Sequence, residues 1–132
     1  METQSNPSDH LLYDGVPYDY AAVVSRGSIL FSAGACPLDG KGNLVAPGDP
    51  ATQAIAALEN LRAVLSRHGA GLEHLVRTTI YVVGGHDDLV RVWEVISTAL
   101  RPQRPPSTLL GVSLLGYDGQ LVEIDGIAVV PA

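Results

Sequence analysis

The sequence predicts an α/β (α+β) fold: a two-layer sandwich in which two helices lie on one face of a mixed β-sheet. Three observations point there. Two segments carry apolar residues at helical spacing on one side and polar residues on the other. The remaining apolar segments are short and rich in Val, Ile, Leu and Thr, and the last of them alternates with a period of two. The order is strands, helix, strand, helix, strands, and a helix or sheet that is apolar on one side must bury that side against another layer.

Taken from the N-terminus, residues 1–12 are polar and acidic with little to bury, and are expected to form a flexible arm before a single domain over 13–132. A first ordered stretch is expected over 20–25, followed by a turn at Gly27. Residues 28–33 read as a buried strand ending at Gly34. The Gly- and Pro-rich stretch 37–48 is a long loop in which Leu44 and Val45 form a short edge strand. Asp49-Pro50 starts a helix, because the carboxylate can cap free N–H groups and Pro suits the first helical position. That helix is placed at 50–67. Ala54, Ile55, Leu58, Leu61 and Leu65 form its apolar stripe, with Gln53, Glu59 and Arg62 opposite, and His68-Gly69 ends it.

Residues 76–83 read as a strand, broken by Gly84-Gly85. Asp87 or Asp88 caps a second helix whose stripe is Leu89, Val92, Trp93, Ile96 and Leu100. Pro102, Pro105 and Pro106 forbid its continuation. Two strands over 108–115 and 121–130 close the chain as a hairpin around Asp118-Gly119. In the last strand Val122, Ile124, Gly126 and Ala128 share one face, and Glu123, Asp125, Ile127 and Val129 the other. With both helices on one side, the second sheet face stays partly apolar and uncovered, so a homo-oligomer is expected.

At 132 residues the chain can bury a genuine core, built from Val, Leu, Ile and Ala because it has one Trp and one Phe. Its formal net charge of −6, from 14 acidic against 8 basic residues, opposes nucleic acid and anionic membranes as partners. Its apolar runs are too short to span a bilayer, and the N-terminal residues lack the basic start and apolar stretch of a signal peptide. One cysteine, Cys36, makes no internal disulfide, which points to a reducing cytoplasm. The four histidines are too scattered to ligate a metal together.

Four pieces of the chain together resemble the Rid family (reactive intermediate deaminase, also called YjgF, and known as L-PSP endoribonuclease-like). They are Pro17-Tyr18-Asp19-Tyr20-Ala21; Leu30-Phe31-Ser32-Ala33-Gly34; the helix segment from Gln53-Ala54 through Leu58-Glu59-Asn60-Leu61; and Arg104 to Val112 followed by Leu121-Val122-Glu123-Ile124-Asp125. The resemblance implies a chorismate-mutase-like fold and a homotrimer with a small-molecule pocket at each subunit interface. It also implies hydrolysis of reactive imines or enamines to 2-keto acids with release of ammonia, and no metal or organic cofactor. In that family an arginine holds the substrate carboxylate, while a backbone carbonyl and a Glu on the last strand position water. Tyr18, Gly34 and Glu123 match pocket positions of the family. Ser107 stands where the arginine is usual and Trp93 where many members have asparagine, departures that resemble a divergent subgroup.

Each candidate has a plain reading beside the functional one. Glu123 and Asp125 suit paired acid/base work, or are simply charges on a solvated or barrel-lining face. Ser107 is a candidate catalytic residue through its hydroxyl and neighbouring backbone, although no sequence partner marks it as a nucleophile. Cys36, at a strand end, is either a ligand contact or a small buried hydrophobe. Tyr18 donates to a ligand or packs at a subunit edge. Trp93 is core or narrows the pocket. Gly34 permits close backbone approach. The leading expectation is a trimer that binds or hydrolyses a small imine, enamine or carbonyl metabolite. The alternative is a non-catalytic binding or regulatory module, and the acidic balance disfavours ribonuclease activity.

Overall fold

A computed structural model describes residues 27–131, so the expectations for the arm at 1–12, the stretch 20–25 and Tyr18 fall outside the described residues. Six elements follow in order: β1 (Ser28–Phe31), α1 (Pro50–Arg67), β2 (Leu75–Val83), α2 (His86–Leu100), β3 (Ser107–Val112) and β4 (Val122–Val130). A short 3-10 turn, Leu72–His74, precedes β2.

The helix starts follow capping chemistry. Asp49 accepts from the Thr52 backbone N–H at 3.1 Å and from its hydroxyl at 2.6 Å, with Pro50 behind it. The cap of α2 is Gly85 rather than an aspartate. Asp88 sits in the first turn and reaches back to accept the Gly85 N–H at 2.9 Å.

The sheet order is β1-β4-β2-β3. The expected terminal hairpin does not form. β3 pairs with β2 in parallel, Thr78 opposite Ser107, whereas β4 pairs with β2 antiparallel, Tyr81 opposite Glu123. The two last strands therefore flank β2 on opposite sides. The reason is the βαβ crossover: α2 carries the chain back along β2, so β3 starts at the same end as β2 and runs beside it. The Asp118-Gly119 turn exists, with Gly119 at a φ of 78° and the Gln120 N–H bonded to the Tyr117 carbonyl, but it joins strands that are not neighbours.

Both helices cover one face. Ala54, Ala57, Leu58, Leu61 and Leu65 of α1 and Val92, Ile96 and Leu100 of α2 share one core with Ile80, Val82, Val122, Ile124 and Ala128 of the sheet. Leu89 and Trp93 pack against it, partly buried. Two assignments on α1 are reversed. Ile55, placed on the apolar stripe, is exposed, and Gln53, placed on the polar side, is fully buried. Gln53 is satisfied by bonds that skip the helix altogether: its Oε1 accepts the Leu121 N–H at 2.7 Å, and its amide reaches the Ala46 and Gly119 carbonyls.

The other face carries no helix. It presents Arg77, Thr79 and Tyr81 of β2, Glu123, Asp125, Ile127 and Val129 of β4, and Ile29 and Phe31 of β1. The strand expected to be buried is thus open on this side, Phe31 being 73% exposed and Ile29 53%. Only Leu30 turns toward the core.

Candidate functional site

The site grows from an irregularity between β1 and β4. Ser32 is bonded through its N–H to the Gly126 carbonyl, and Ala35 bridges Ile124. Two residues, Ala33 and Gly34, therefore oppose the single residue Asp125. This is a β-bulge, and one extra residue inverts which side chains face which side downstream. The Ser32 hydroxyl supports it, accepting the Gly126 N–H at 2.9 Å. After the bulge Ala35 enters the core and Cys36 turns to the open face.

Cys36 there meets Glu123. Its thiol donates to Glu123 Oε1 at 3.3 Å. The Gln120 amide donates to the same oxygen at 3.2 Å. Glu123 also lies directly over Gly34. A Cβ at position 34 would sit 2.5 Å from the Glu123 carboxyl carbon, so the close approach needs glycine. Asn60 of α1 donates to the carbonyls of Cys36 at 2.7 Å and Leu38 at 3.0 Å, which holds the chain in place beyond the bulge. Leu38 in turn bridges Leu44, so the edge strand expected near Leu44 amounts to one bridge within the loop.

Tyr81, the cross-strand partner of Glu123, donates its phenol to Asp125 at 2.9 Å. That bond, then burial, then the charges of Asp125 and Glu123 push the phenol above its ordinary value. Burial first, then the hydrogen bond to Glu123 and its charge, push the Cys36 thiol up, while Gln120 pulls it down. Cys36 is consequently a hydrogen-bonding thiol and not an activated thiolate. One oxygen of Glu123 is held by two donors and the other lies over a bare backbone, an arrangement able to take a proton from water or ligand.

The remaining candidates lie elsewhere on the chain. Ser107 opens β3 opposite Thr78, three residues along β2 from Tyr81, a separation of roughly 10 Å. Its hydroxyl is engaged with the Thr78 hydroxyl at 2.5 Å and with the Pro105 carbonyl at 2.9 Å. Thr78 is buried on the helix side, so Ser107 and Glu123 point away from opposite faces of the sheet. Trp93 is on the helix side too. Gly34, Cys36 and Glu123 are brought together by one chain, and Ser107 and Trp93 are not. A surface depression of about 350 Å³ between Glu73, Leu75 and residues 102–106 contains none of these residues. Among the described residues no three metal-ligating side chains converge, and no helix is long and apolar enough to cross a membrane. Gln120, Tyr81 and Asn60 are contributors that the sequence did not single out. The one available signal was a polar Gln between Gly119 and Leu121 at the entrance to an apolar strand.

Comparison with known proteins adds the following. A family model described as endoribonuclease L-PSP matches residues 16–130. The protein DfrA of Myxococcus xanthus is 38% identical over 113 residues, 86% of this chain and 85% of that protein. A 2-iminobutanoate/2-iminopropanoate deaminase of Salmonella typhimurium is 30% identical over 112 residues, 83% of this chain and 86% of that protein. Among solved structures, a Rid-family protein of unknown function from Yersinia pestis, YyfB, superposes with a TM-score of 0.83 at 29% identity, over 89% of this chain and 92% of that one.

Proposed function

The chain belongs to the endoribonuclease L-PSP family, the Rid group, and on that premise we propose that it is a cytoplasmic homotrimer whose intersubunit clefts take a small imine, enamine or carbonyl metabolite. The reaction is hydrolysis of a C=N bond: imine plus water gives a carbonyl product plus ammonia. Glu123 takes a proton from water as the water oxygen bonds to the imine carbon and the C=N electrons pass to nitrogen. Glu123 returns that proton to nitrogen, giving a carbinolamine; its hydroxyl proton then passes to nitrogen, the C–N bond breaks and ammonia leaves as the carbonyl forms. Backbone groups near Gly34 receive developing charge.

The observation that supports this reading is the Glu123 carboxylate, held through one oxygen by Cys36 and Gln120 and set over Gly34. The relative named as an iminobutanoate deaminase supports the reaction class. Ammonia release from freshly generated imines tests it. Turnover by the wild type that falls at least tenfold in Glu123→Ala is expected from loss of a general base. An unchanged rate would remove Glu123 from the mechanism.

A non-catalytic binding module is the second reading, favoured by Ser107. Its hydroxyl is spent on Thr78 and Pro105 rather than offered to a ligand. Gain of imine hydrolysis in Ser107→Arg from an inactive wild type would support that reading.

A further inference from the structure

We propose that Gln120 is a positioning residue: acting with Cys36, it fixes the plane of the Glu123 carboxylate so that Oε1 points inward and Oε2, over Gly34, is the oxygen that meets the ligand. The inference rests on the reading of Glu123 as the working base.

Gln120 is 3% exposed. Its amide nitrogen donates to the Val122 carbonyl at 3.0 Å and to Glu123 Oε1 at 3.2 Å, and its own oxygen accepts the Tyr117 N–H at 3.2 Å. A flipped amide would set its oxygen against the Val122 carbonyl and the carboxylate, so the orientation is determined by its partners. Rotation of this side chain forfeits three bonds at once. With Cys36 also on Oε1, the carboxylate has two converging donors and one plane that satisfies both. Gln120 also closes the segment that follows β3, so the Tyr117 backbone and the carboxylate are tied through a single amide. No residue spacing announces this arrangement, because the bond to Glu123 spans only three residues and crosses no recognised motif.

Cys36 reports on the arrangement without any need for turnover, since it is the chain's one cysteine. Its alkylation by iodoacetamide is measured at one fixed pH in the wild type, Gln120→Met, Gln120→Glu and Glu123→Gln. Loss of the amide donor leaves the thiol alone against the carboxylate, so both Gln120 variants should alkylate roughly three- to tenfold more slowly, and Glu123→Gln faster by a similar factor. Gln120→Met removes the donor without adding charge, Gln120→Glu sets an oxygen against the carboxylate where the amide donated, and circular dichroism checks that each variant folds. Faster alkylation in the Gln120 variants would mean that Gln120 only packs the site, and an unchanged rate would mean that it does not reach the carboxylate. Either overturns the proposal. In imine turnover, Gln120→Met should lower kcat about tenfold or more at a KM within about twofold. A loss carried by KM instead would overturn the positioning role. A wild type without turnover would sink the hydrolase reading and leave the alkylation result to decide the fate of Gln120.

Discussion

Gly34→Ala tests the core of the site in one methyl group. The added Cβ would lie 2.5 Å from the Glu123 carboxyl carbon. Ordinary contact needs close to 3.4 Å, so the carboxylate must retreat by about 1 Å. Its bond to Gln120 at 3.2 Å is already at the long end, its bond to the larger sulfur of Cys36 is 3.3 Å, and a retreat of that size breaks both. Two part-buried hydrogen bonds are together worth about 1–3 kcal/mol. The restricted unfolded chain of Ala returns about 0.4–1 kcal/mol. The net loss is about 1 kcal/mol, or a fall in Tm of roughly 3–5 °C. Thermal unfolding reads the loss, and iodoacetamide reads the geometry: with the carboxylate withdrawn, the Cys36 thiol falls toward its ordinary value and alkylates faster. Full stability together with an unaltered alkylation rate would refute the close packing of Glu123 on Gly34.

Three further outcomes are expected. Gln53→Leu leaves the Leu121 N–H and two carbonyls without their partner, at a cost of about 3 kcal/mol in urea unfolding; a loss within experimental error would show that water replaces the amide. Bonds from the Thr52 side chain and backbone hold the Asp49 carboxyl below the usual carboxylate range. Because its folded pKa is below the unfolded one, its contribution is complete above the unfolded pKa and is lost as pH falls through the folded value, so Asp49→Ala should flatten that part of the acid limb of the stability curve; identical limbs in the two proteins would contradict the cap. Phe31→Asp places a charge on the uncovered sheet face and should convert a trimer to monomer in analytical ultracentrifugation; a wild type that sediments as a monomer would end the trimer reading.

The helices were legible because capping and periodicity are local. Asp49-Pro50 and the Leu58–Leu61–Leu65 stripe carry their own reasons, and the alternation from Val122 to Val129 assigned both faces of β4 correctly. Pairing partners were not legible. A turn such as Asp118-Gly119 specifies a local reversal and not which strand lies alongside, so the hairpin was misread. Gln53 was misplaced for a related reason: its three partners lie in other segments, up to 68 residues away. At the site, Glu123, Gly34 and Cys36 could be singled out, but their convergence could not, since it depends on the bulge. Tyr81 gave no signal and Gln120 only a faint one, a polar residue before an apolar strand, because each acts through a neighbour on the folded sheet.

The doubled position opposite Asp125 has a consequence for how such a site can change. Were the same residues paired evenly, Gly34 would oppose Ile124, the methyl of Ala35 would stand beside the carboxylate and the sulfur of Cys36 would turn toward the helices. Removing Ala33 or Gly34 would instead leave Ala35 opposite Ile124 and Cys36 on the carboxylate's side. The chemical neighbour of Glu123 is thus set by how a short stretch pairs as much as by which residues it holds.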